Sequence, residues 1–138
     1  MKVELLSLVD APDLAAITEG LGEHALASGI EPRNAEPVCI LLRGDHNQVV
    51  GGLKGNTAWG WLHVKELWVA EIARGSDFGT QLMRTAEDEA RRRGCHHALL
   101  DTFDFQARPF YETLGYKVFG ELADFPRGHT RYFMSKAL

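Results

Sequence analysis

Apolar positions along this chain follow two different periods, which predicts a mixture of helices and strands. The clearest helix is Phe78–Arg93, where apolar residues recur at every fourth position and Gly94 follows as a C-terminal stop signal. Short apolar runs predict strands at Val38–Arg43, Gln48–Leu53, Ala58–Val69, Ala98–Thr102, Tyr116–Gly120 and Arg131–Lys136.

The N-terminal part of the chain predicts one more strand and two short helices. Lys2–Leu8 alternates weakly, which indicates a first strand. Asp10 can cap a helix that has Pro12 in its first turn, and the glycines in the triplet 20–22 indicate a break before a second helix at His24–Ser28.

With a further helix at Gln106–Leu114, the predicted order of elements is β-α-α-β-β-β-α-β-α-β-β. Alternating strands and helices in the second half imply parallel crossovers, and the run of strands in the middle implies an antiparallel meander. The fold class is therefore α/β (α+β), with a mixed, mostly antiparallel sheet of about seven strands and helices on both faces. A length of 138 residues, with no repeat or linker, predicts a single domain over 1–138.

The long strand Ala58–Val69 changes parity along its length. Its apolar positions are even-numbered up to Val64 and odd-numbered from Leu67 onward. One extra residue near Lys65-Glu66 would restore the alternation, so we predict a β-bulge that turns backbone N–H groups away from the ladder and toward a ligand. The alternative is a strand covered on both faces, in which Leu67 and Trp68 are both buried.

Composition excludes several classes of protein. The formal net charge of −4 argues against a general nucleic-acid binder. No apolar run approaches the ~18 residues of a membrane span, and the N-terminus lacks a signal peptide's apolar core. Cys39 and Cys95 form no Cys-x-x-Cys pair, which predicts two buried free thiols and a cytoplasmic location. The histidines lack metal-ligand spacing, so no metal is expected.

The charge is unevenly distributed. Residues 1–37 contain seven acids and two bases, a net of −5, whereas residues 38–138 carry a net of +1. This segment is either a solvated helical surface or an acidic wall that attracts a cationic ligand.

The connection Arg74–Thr80, between the long strand and the best helix, has the features of an anion site. Free N–H groups and the helix dipole favour an anion at a helix N-terminus, Gly75 and Gly79 permit close approach, and the Arg74 guanidinium offers a forked donor. No Gly-Lys-Ser/Thr follows, so this is not a Walker loop. The alternative is an ordinary strand-to-helix turn.

Two stretches resemble the GNAT superfamily of acyl-CoA-dependent N-acyltransferases. Leu67-Trp68-Val69 with Arg74–Met83 is similar to its motif A, and Ala107–Tyr116, with the aromatic pair Phe110-Tyr111 before Gly115-Tyr116, is similar to its second signature. The element order also matches that fold, so the resemblance covers nearly the whole chain, although residues 1–57 contribute only topology.

The resemblance implies an N-acetyltransferase that moves an acetyl group from acetyl-CoA to a primary amine by direct attack. Tyr111 matches the usual general acid, which protonates the CoA sulfur, and Glu66 beside the bulge is a candidate to take the ammonium proton through water. The bland alternatives are a packing role for Tyr111 and a solvated strand position for Glu66. The residues implied to bind acetyl-CoA are Leu67, Trp68, Val69, Arg74, Gly75, Ser76, Asp77, Phe78, Gly79, Thr80 and Phe110.

Two positions depart from the family pattern, and a histidine near them has no assigned role. Asp77 stands where the family has glycine, and its carboxylate either repels the phosphates or caps the helix that follows; we favour capping. Asp104 stands where many members have asparagine. His129, in the link between the last two strands, is either a surface residue or a base on the acceptor side.

The acceptor implied by the resemblance is a small-molecule or peptide amine, and the acidic segment makes a cationic one the expectation. Dimers that pair at a sheet edge are common in the family, so the expected partners include a second copy of this chain. A non-catalytic acyl-CoA-binding sensor or subunit is the alternative function. A phosphate-binding α/β enzyme unrelated to acyl transfer is a third.

Overall fold

The computed structural model describes all 138 residues and comprises two compact units, Met1–Arg33 and Asn34–Leu138. The first unit contains one helix, α1 (Ala11–Ala27). Asp10 stands at its N-cap in an extended conformation but makes no side-chain capping hydrogen bond, and Pro12 lies in the first turn as predicted.

Two expectations for this unit are wrong. Lys2–Leu8 forms no strand, because a strand requires a hydrogen-bonded neighbour and none pairs with it. The predicted break at 20–22 is absent, since a glycine inside a helix costs only about 1 kcal/mol and does not by itself end it. The helix ends instead at Ala27, with Ser28 as its C-cap; Gly29 is left-handed, and the Ile30 N–H donates to the Ala25 carbonyl.

The second unit is built on a six-stranded sheet rather than one of about seven strands, because the N-terminal strand is missing. In chain order its elements are β1 (Glu36–Arg43), β2 (Val49–Ala58), β3 (Trp61–Val69), a short 3₁₀ turn (Glu71–Ala73), α2 (Phe78–Arg92), β4 (His97–Phe103), α3 (Arg108–Thr113), β5 (Lys117–Ala123) and β6 (Thr130–Ala137).

The sheet is mixed and mostly antiparallel, as predicted. Its spatial order is β1-β2-β3-β4-β6-β5, and only the β3–β4 pair is parallel. The predicted boundaries between β2 and β3 are wrong: β2 ends five residues after the predicted Leu53, and β3 begins three residues after the predicted Ala58. A tight turn at Trp59-Gly60, with both residues at positive φ, ends β2 at Ala58 and delays β3 to Trp61.

The core lies between the sheet and α2. The helix buries residues spaced three and four apart, which is the stripe that its sequence predicts. The buried side chains of α2 are Leu82, Met83, Ala86, Glu87 and Ala90. They join a cluster that includes Leu62, Val64, Ala98, Leu100 and Met134 from the strands. Cys95 belongs to this cluster, but Cys39 is exposed, so the expectation of two buried thiols is half wrong.

The Glu87 carboxylate, a charged group in the core, has a hydrogen-bond partner on each oxygen. Glu87 on α2 is buried, and its carboxylate accepts from Lys136 Nζ at 2.7 Å and from the Tyr116 hydroxyl at 3.2 Å. Burial and the neighbouring Glu87 charge raise the pKa of Tyr116. The contact ties α2 to β6, and thereby fixes the helix on the sheet. None of the helices is long and apolar enough to cross a membrane.

Candidate functional site

Strands β3 and β4 run side by side for only part of their length. They are paired from Trp61–His97 to Val64–Leu100, but β3 continues to Val69 and β4 to Phe103 without further pairing. The two strands therefore separate toward their carboxyl ends and leave a wedge between them.

The bulge predicted in β3 is confirmed and lies where the strands begin to separate. Lys54 of β2 pairs with Glu66, whereas the next residue, Gly55, pairs with Val64, so Lys65 is the extra residue. Gly55 permits the distortion, because a Cβ at that position would collide with the carbonyl oxygen of His63. The bulge leaves one residue of β3 without a partner on β2.

The backbone of β3 beyond the bulge has a defined orientation. The Ala70 N–H donates to the Val50 carbonyl of β2 at 2.8 Å. Because alternate residues of an antiparallel strand direct their backbone groups to opposite sides, Leu67 and Val69 direct theirs away from β2 and toward the wedge. Their amide groups and the Leu67 carbonyl can therefore bind a ligand that lies along the strand, whereas the Val69 carbonyl already accepts from Arg74 Nε.

The turn Arg74–Thr80 closes one end of the wedge with the N-terminus of α2. Gly75 and Asp77 both have positive φ, of 81° and 64°, so the chain changes direction twice before the helix begins at Phe78. Arg74 Nε donates to the Val69 carbonyl at 3.1 Å, which fixes the turn to the end of β3. The helix N-terminus and the Arg74 guanidinium together favour an anionic group here.

The expectation that Asp77 caps α2 is wrong. Asp77 occupies the N-cap position, but its backbone is left-handed rather than extended, and its carboxylate makes no capping hydrogen bond. Asp77 instead lines the cleft.

The wedge and the turn form one cleft of about 960 Å³. Of the predicted site residues, Ser76 alone does not line it. The predicted residues that line it are Glu66, Leu67, Trp68, Val69, Arg74, Gly75, Asp77, Phe78, Gly79, Thr80, Phe110 and Tyr111.

The opposite wall comes from β4 and the residues after it, none of which is among the predicted site residues. This wall contains Asp101, Thr102, Phe103, Phe105 and Gln106. A signal for it was present, because neighbouring parallel strands bring their carboxyl ends to the same edge of a sheet. The residues after the predicted strand Ala98–Thr102 therefore had to lie near those that follow β3.

Tyr111 on α3 stands against this wall with its side chain almost entirely buried. Burial, and then the negative charge of Asp101, raise the pKa of Tyr111 to about 12. The hydroxyl is therefore a proton donor throughout the neutral range. The ring is held edge-on against Phe110 and Tyr116, at centroid distances of 5.1 and 6.1 Å.

Phe110 and Gly79 position α3 against the start of α2. A Cβ at Gly79 would lie 3.3 Å from Cζ of the Phe110 ring, so glycine gives the ring its close approach. Glu66 lies on the other wall beside the bulge. Its carboxylate is largely exposed and is paired with Lys54 Nζ at 3.1 Å.

Comparisons with known proteins agree with this architecture. A model described as the acetyltransferase (GNAT) family matches residues 11–116. Blasticidin-S acetyltransferase from Streptomyces morookaense is 38% identical over 110 residues, which are 79% of this chain and 81% of that protein. Acetyltransferase Atu2258 from Agrobacterium fabrum is 37% identical over 136 residues, or 99% and 98% of the two chains. A crystal structure from Agrobacterium tumefaciens, described as a candidate acetyltransferase, superposes over the full length of both chains with a TM-score of 0.89 and 36% identity.

Proposed function

Since this chain belongs to the GNAT acetyltransferase family, we propose that it transfers the acetyl group of acetyl-CoA to a primary amine by direct attack. The separation of β3 from β4 carries the proposal. It exposes backbone hydrogen-bonding groups beside a bulge and leads to a helix N-terminus with an arginine. A long thioester with a pyrophosphate at its far end matches each part of that cleft.

Acetyl-CoA would lie along β3, with its amide-bearing arm on the backbone of Leu67 and Val69. Its pyrophosphate would accept from the N–H groups of the Arg74–Thr80 turn. A backbone N–H at the bulge would polarise the thioester carbonyl and stabilise the oxyanion that forms when the amine attacks. Trp68 and Phe110 line the same cleft and would contact the arm.

Tyr111 is the proposed general acid. As the C–N bond forms and the C–S bond breaks, the departing thiolate would take the phenolic proton. The raised pKa of Tyr111 keeps that proton in place until the thiolate develops.

For the amine proton, the sequence predicts Glu66 acting through water. Its position on the cleft beside the bulge supports this role, whereas its ion pair with Lys54 competes with it. Glu66 stays a prediction for this step. Its test is Glu66→Gln: a fall in kcat of ~10²–10⁴-fold would assign the base to Glu66, and an unchanged kcat would remove Glu66 from this step.

The proposed acceptor is a cationic small-molecule or peptide amine. The net −5 of residues 1–37 favours a cation, and the relative named for blasticidin S favours a small molecule. The proposal includes a homodimer, which light scattering on the purified protein tests.

The deciding experiment measures release of CoA thiol from acetyl-CoA in the presence of single amines. The panel contains blasticidin S, an aminoglycoside, spermidine and a lysine-containing peptide. Thermal melts with acetyl-CoA accompany it, because a ligand at ~100 times its Kd stabilises the native state by ~2.7 kcal/mol. A rise in Tm together with turnover supports the enzyme. A rise without turnover supports a non-catalytic binder, and no rise contradicts the cofactor assignment.

A further inference from the structure

A carboxylate and an imidazole meet at the end of β4. His129 Nδ1 and Asp104 Oδ1 are 2.8 Å apart, and Asp104 Oδ2 accepts from the Thr130 N–H at 3.0 Å. Partial burial raises the pKa of Asp104, but the hydrogen bonds from His129 and Thr130 outweigh it and leave the pKa below its ordinary value. Asp104 is therefore ionised at neutral pH and accepts on both oxygens.

The turn that carries His129 is held by its own hydrogen bonds. The His129 N–H donates to the Pro126 carbonyl, and the Phe125 N–H donates to the His129 carbonyl, at 2.9 and 3.2 Å. The Gly128 N–H donates to the Asp124 carboxylate at 3.0 Å. Both the backbone and the Nδ1 side of the ring are thus fixed, which is how a positioned base is held.

The imidazole contacts a residue that lines the cleft. Phe105 lines the cleft, and its ring meets His129 edge-on at a centroid distance of 5.1 Å. Phe105 also stacks on Phe103, another residue of that wall, at 5.2 Å. The His129 side chain is about half exposed, and no hydrogen bond of its second ring nitrogen competes with a substrate proton among those described.

The hydrogen bond to an ionised carboxylate determines which nitrogen is basic. With the Nδ1–H donated to Asp104, the neutral ring carries its lone pair on Nε2. A primary amine is mostly protonated at neutral pH, and its ammonium must lose a proton before it can attack a thioester.

We propose that His129, and not Glu66, accepts the proton of the acceptor ammonium, with Asp104 as the positioning residue that orients and stabilises the imidazolium. The inference rests on the proposed acetyl transfer. The charged groups around the imidazole are Asp104 on the β4–α3 connection, Asp124 and Arg127 in its own turn, and Arg131, which is paired with Asp101.

The protons of the proposed reaction balance without another reactant. One ammonium proton passes to His129 Nε2, directly or through one water, and from there to solvent. The neutral amine forms the C–N bond, the C–S bond breaks, and the thiolate takes the Tyr111 proton. The second nitrogen proton, lost as the amide forms, restores the Tyr111 phenol.

The test compares His129→Gln and Asp104→Asn with wild type, using the best acceptor of the amine panel. His46→Gln is the matched control, because it removes an exposed imidazole from the β1–β2 turn. At neutral pH we expect kcat/KM of His129→Gln to fall by ~10²–10³-fold, with a smaller fall for Asp104→Asn. The Tm shift with CoA should stay unchanged in both.

The pH profile separates a base from a structural residue. As the pH approaches the pKa of the acceptor amine, the free amine needs no base, so the deficit of His129→Gln should shrink. Added imidazole should restore turnover to His129→Ala, since the missing group is then supplied from solution.

A deficit that is constant with pH and is not rescued by imidazole overturns the inference. A kcat/KM of His129→Gln within about threefold of wild type also overturns the inference, but it leaves the proposed acetyl transfer standing. A wild-type protein that acetylates none of the amines overturns the proposed function and the inference together.

Discussion

Tyr111 is almost fully buried and also lines the cleft. Tyr111→Phe keeps the ring and removes only the proton donor. We expect kcat to fall by ~10²–10⁴-fold with little change in the Kd of CoA. Stopped-flow turnover and calorimetric titration with CoA measure the two quantities.

Tyr132→Phe is the matched control for that measurement. The Arg108 guanidinium carbon lies 4.5 Å from the centroid of the Tyr132 ring, and Tyr132 does not line the cleft. A wild-type rate in Tyr111→Phe would remove Tyr111 from the reaction. An equal loss in both variants would assign the effect to general disturbance of the fold.

Asp77 carries a left-handed backbone that glycine adopts at no cost. We expect Asp77→Gly to raise the free energy of unfolding of the ligand-free protein by ~0.5–1 kcal/mol, because this strain is relieved. The Kd for CoA should fall as well, since a carboxylate is removed from the turn where the proposed binding mode places the phosphates. Asp77→Asn is the control, because it removes the charge but keeps the strained backbone.

The two variants of Asp77 separate backbone strain from charge. Tighter CoA binding in both, with higher stability only in Asp77→Gly, is the expected pattern. Lower stability of ligand-free Asp77→Gly would mean that the carboxylate stabilises the helix after all.

At the scale of single elements, α2 ends in a small ionic network. Glu89 accepts from Arg92 and from Arg93, at 2.7 Å and 2.9 Å from the two Nε atoms. These hydrogen bonds lower the pKa of Glu89 from 4.5 to about 2. Arg93 also donates to the Pro37 carbonyl of β1, so the network joins the end of the helix to the edge of the sheet.

This network should contribute to the acid sensitivity of the fold. A carboxylate with a depressed pKa stabilises the native state above its unfolded pKa, and that stabilisation is lost as the pH falls from about 4.5 to about 2. Denaturant titrations at several pH values should therefore show wild type more stable than Glu89→Gln at neutral pH, with the difference vanishing near pH 2. Asp88→Asn, an exposed neighbour paired with Arg91, is the control. A difference that does not change with pH would contradict this account.

The sequence predicts elements well where a local pattern determines them. The sequence predicts both the buried stripe of α2 and the parity change in β3, because each follows from the geometry of one element. The turn at Trp59-Gly60 was not predicted, because a bulky residue rarely adopts positive φ and a single glycine within a strand pattern also fits a bulge. The wall containing Phe103 and Phe105 follows from the parallel pairing of β3 with β4, so predicting it requires the sheet topology and not the pattern within one element.

At the scale of the whole molecule, the formal net charge is −4, and residues 1–37 alone carry −5. If a cationic acceptor is attracted by this charge, kcat/KM should fall as ionic strength rises, because exposed charges are screened beyond ~8–10 Å near physiological salt. Rates measured from ~0.02 M to ~0.5 M salt test this, with an uncharged amine as the control that should show no slope. An anionic amine as the best acceptor would leave the acidic segment as a solvated surface.

The early end of pairing between β3 and β4 also affects how the protein resists unfolding. The sheet consists of two three-stranded ribbons, β1-β2-β3 and β4-β6-β5, whose backbones are joined only along Trp61–Val64 and His97–Leu100. Hydrogen bonds within one ribbon can break near the gap while the other ribbon stays intact. Local opening there therefore costs less free energy than global unfolding. A ligand hydrogen-bonded across the gap would act as a removable seventh strand. It would couple the two ribbons and convert a sheet that opens in parts into one that opens as a single cooperative unit.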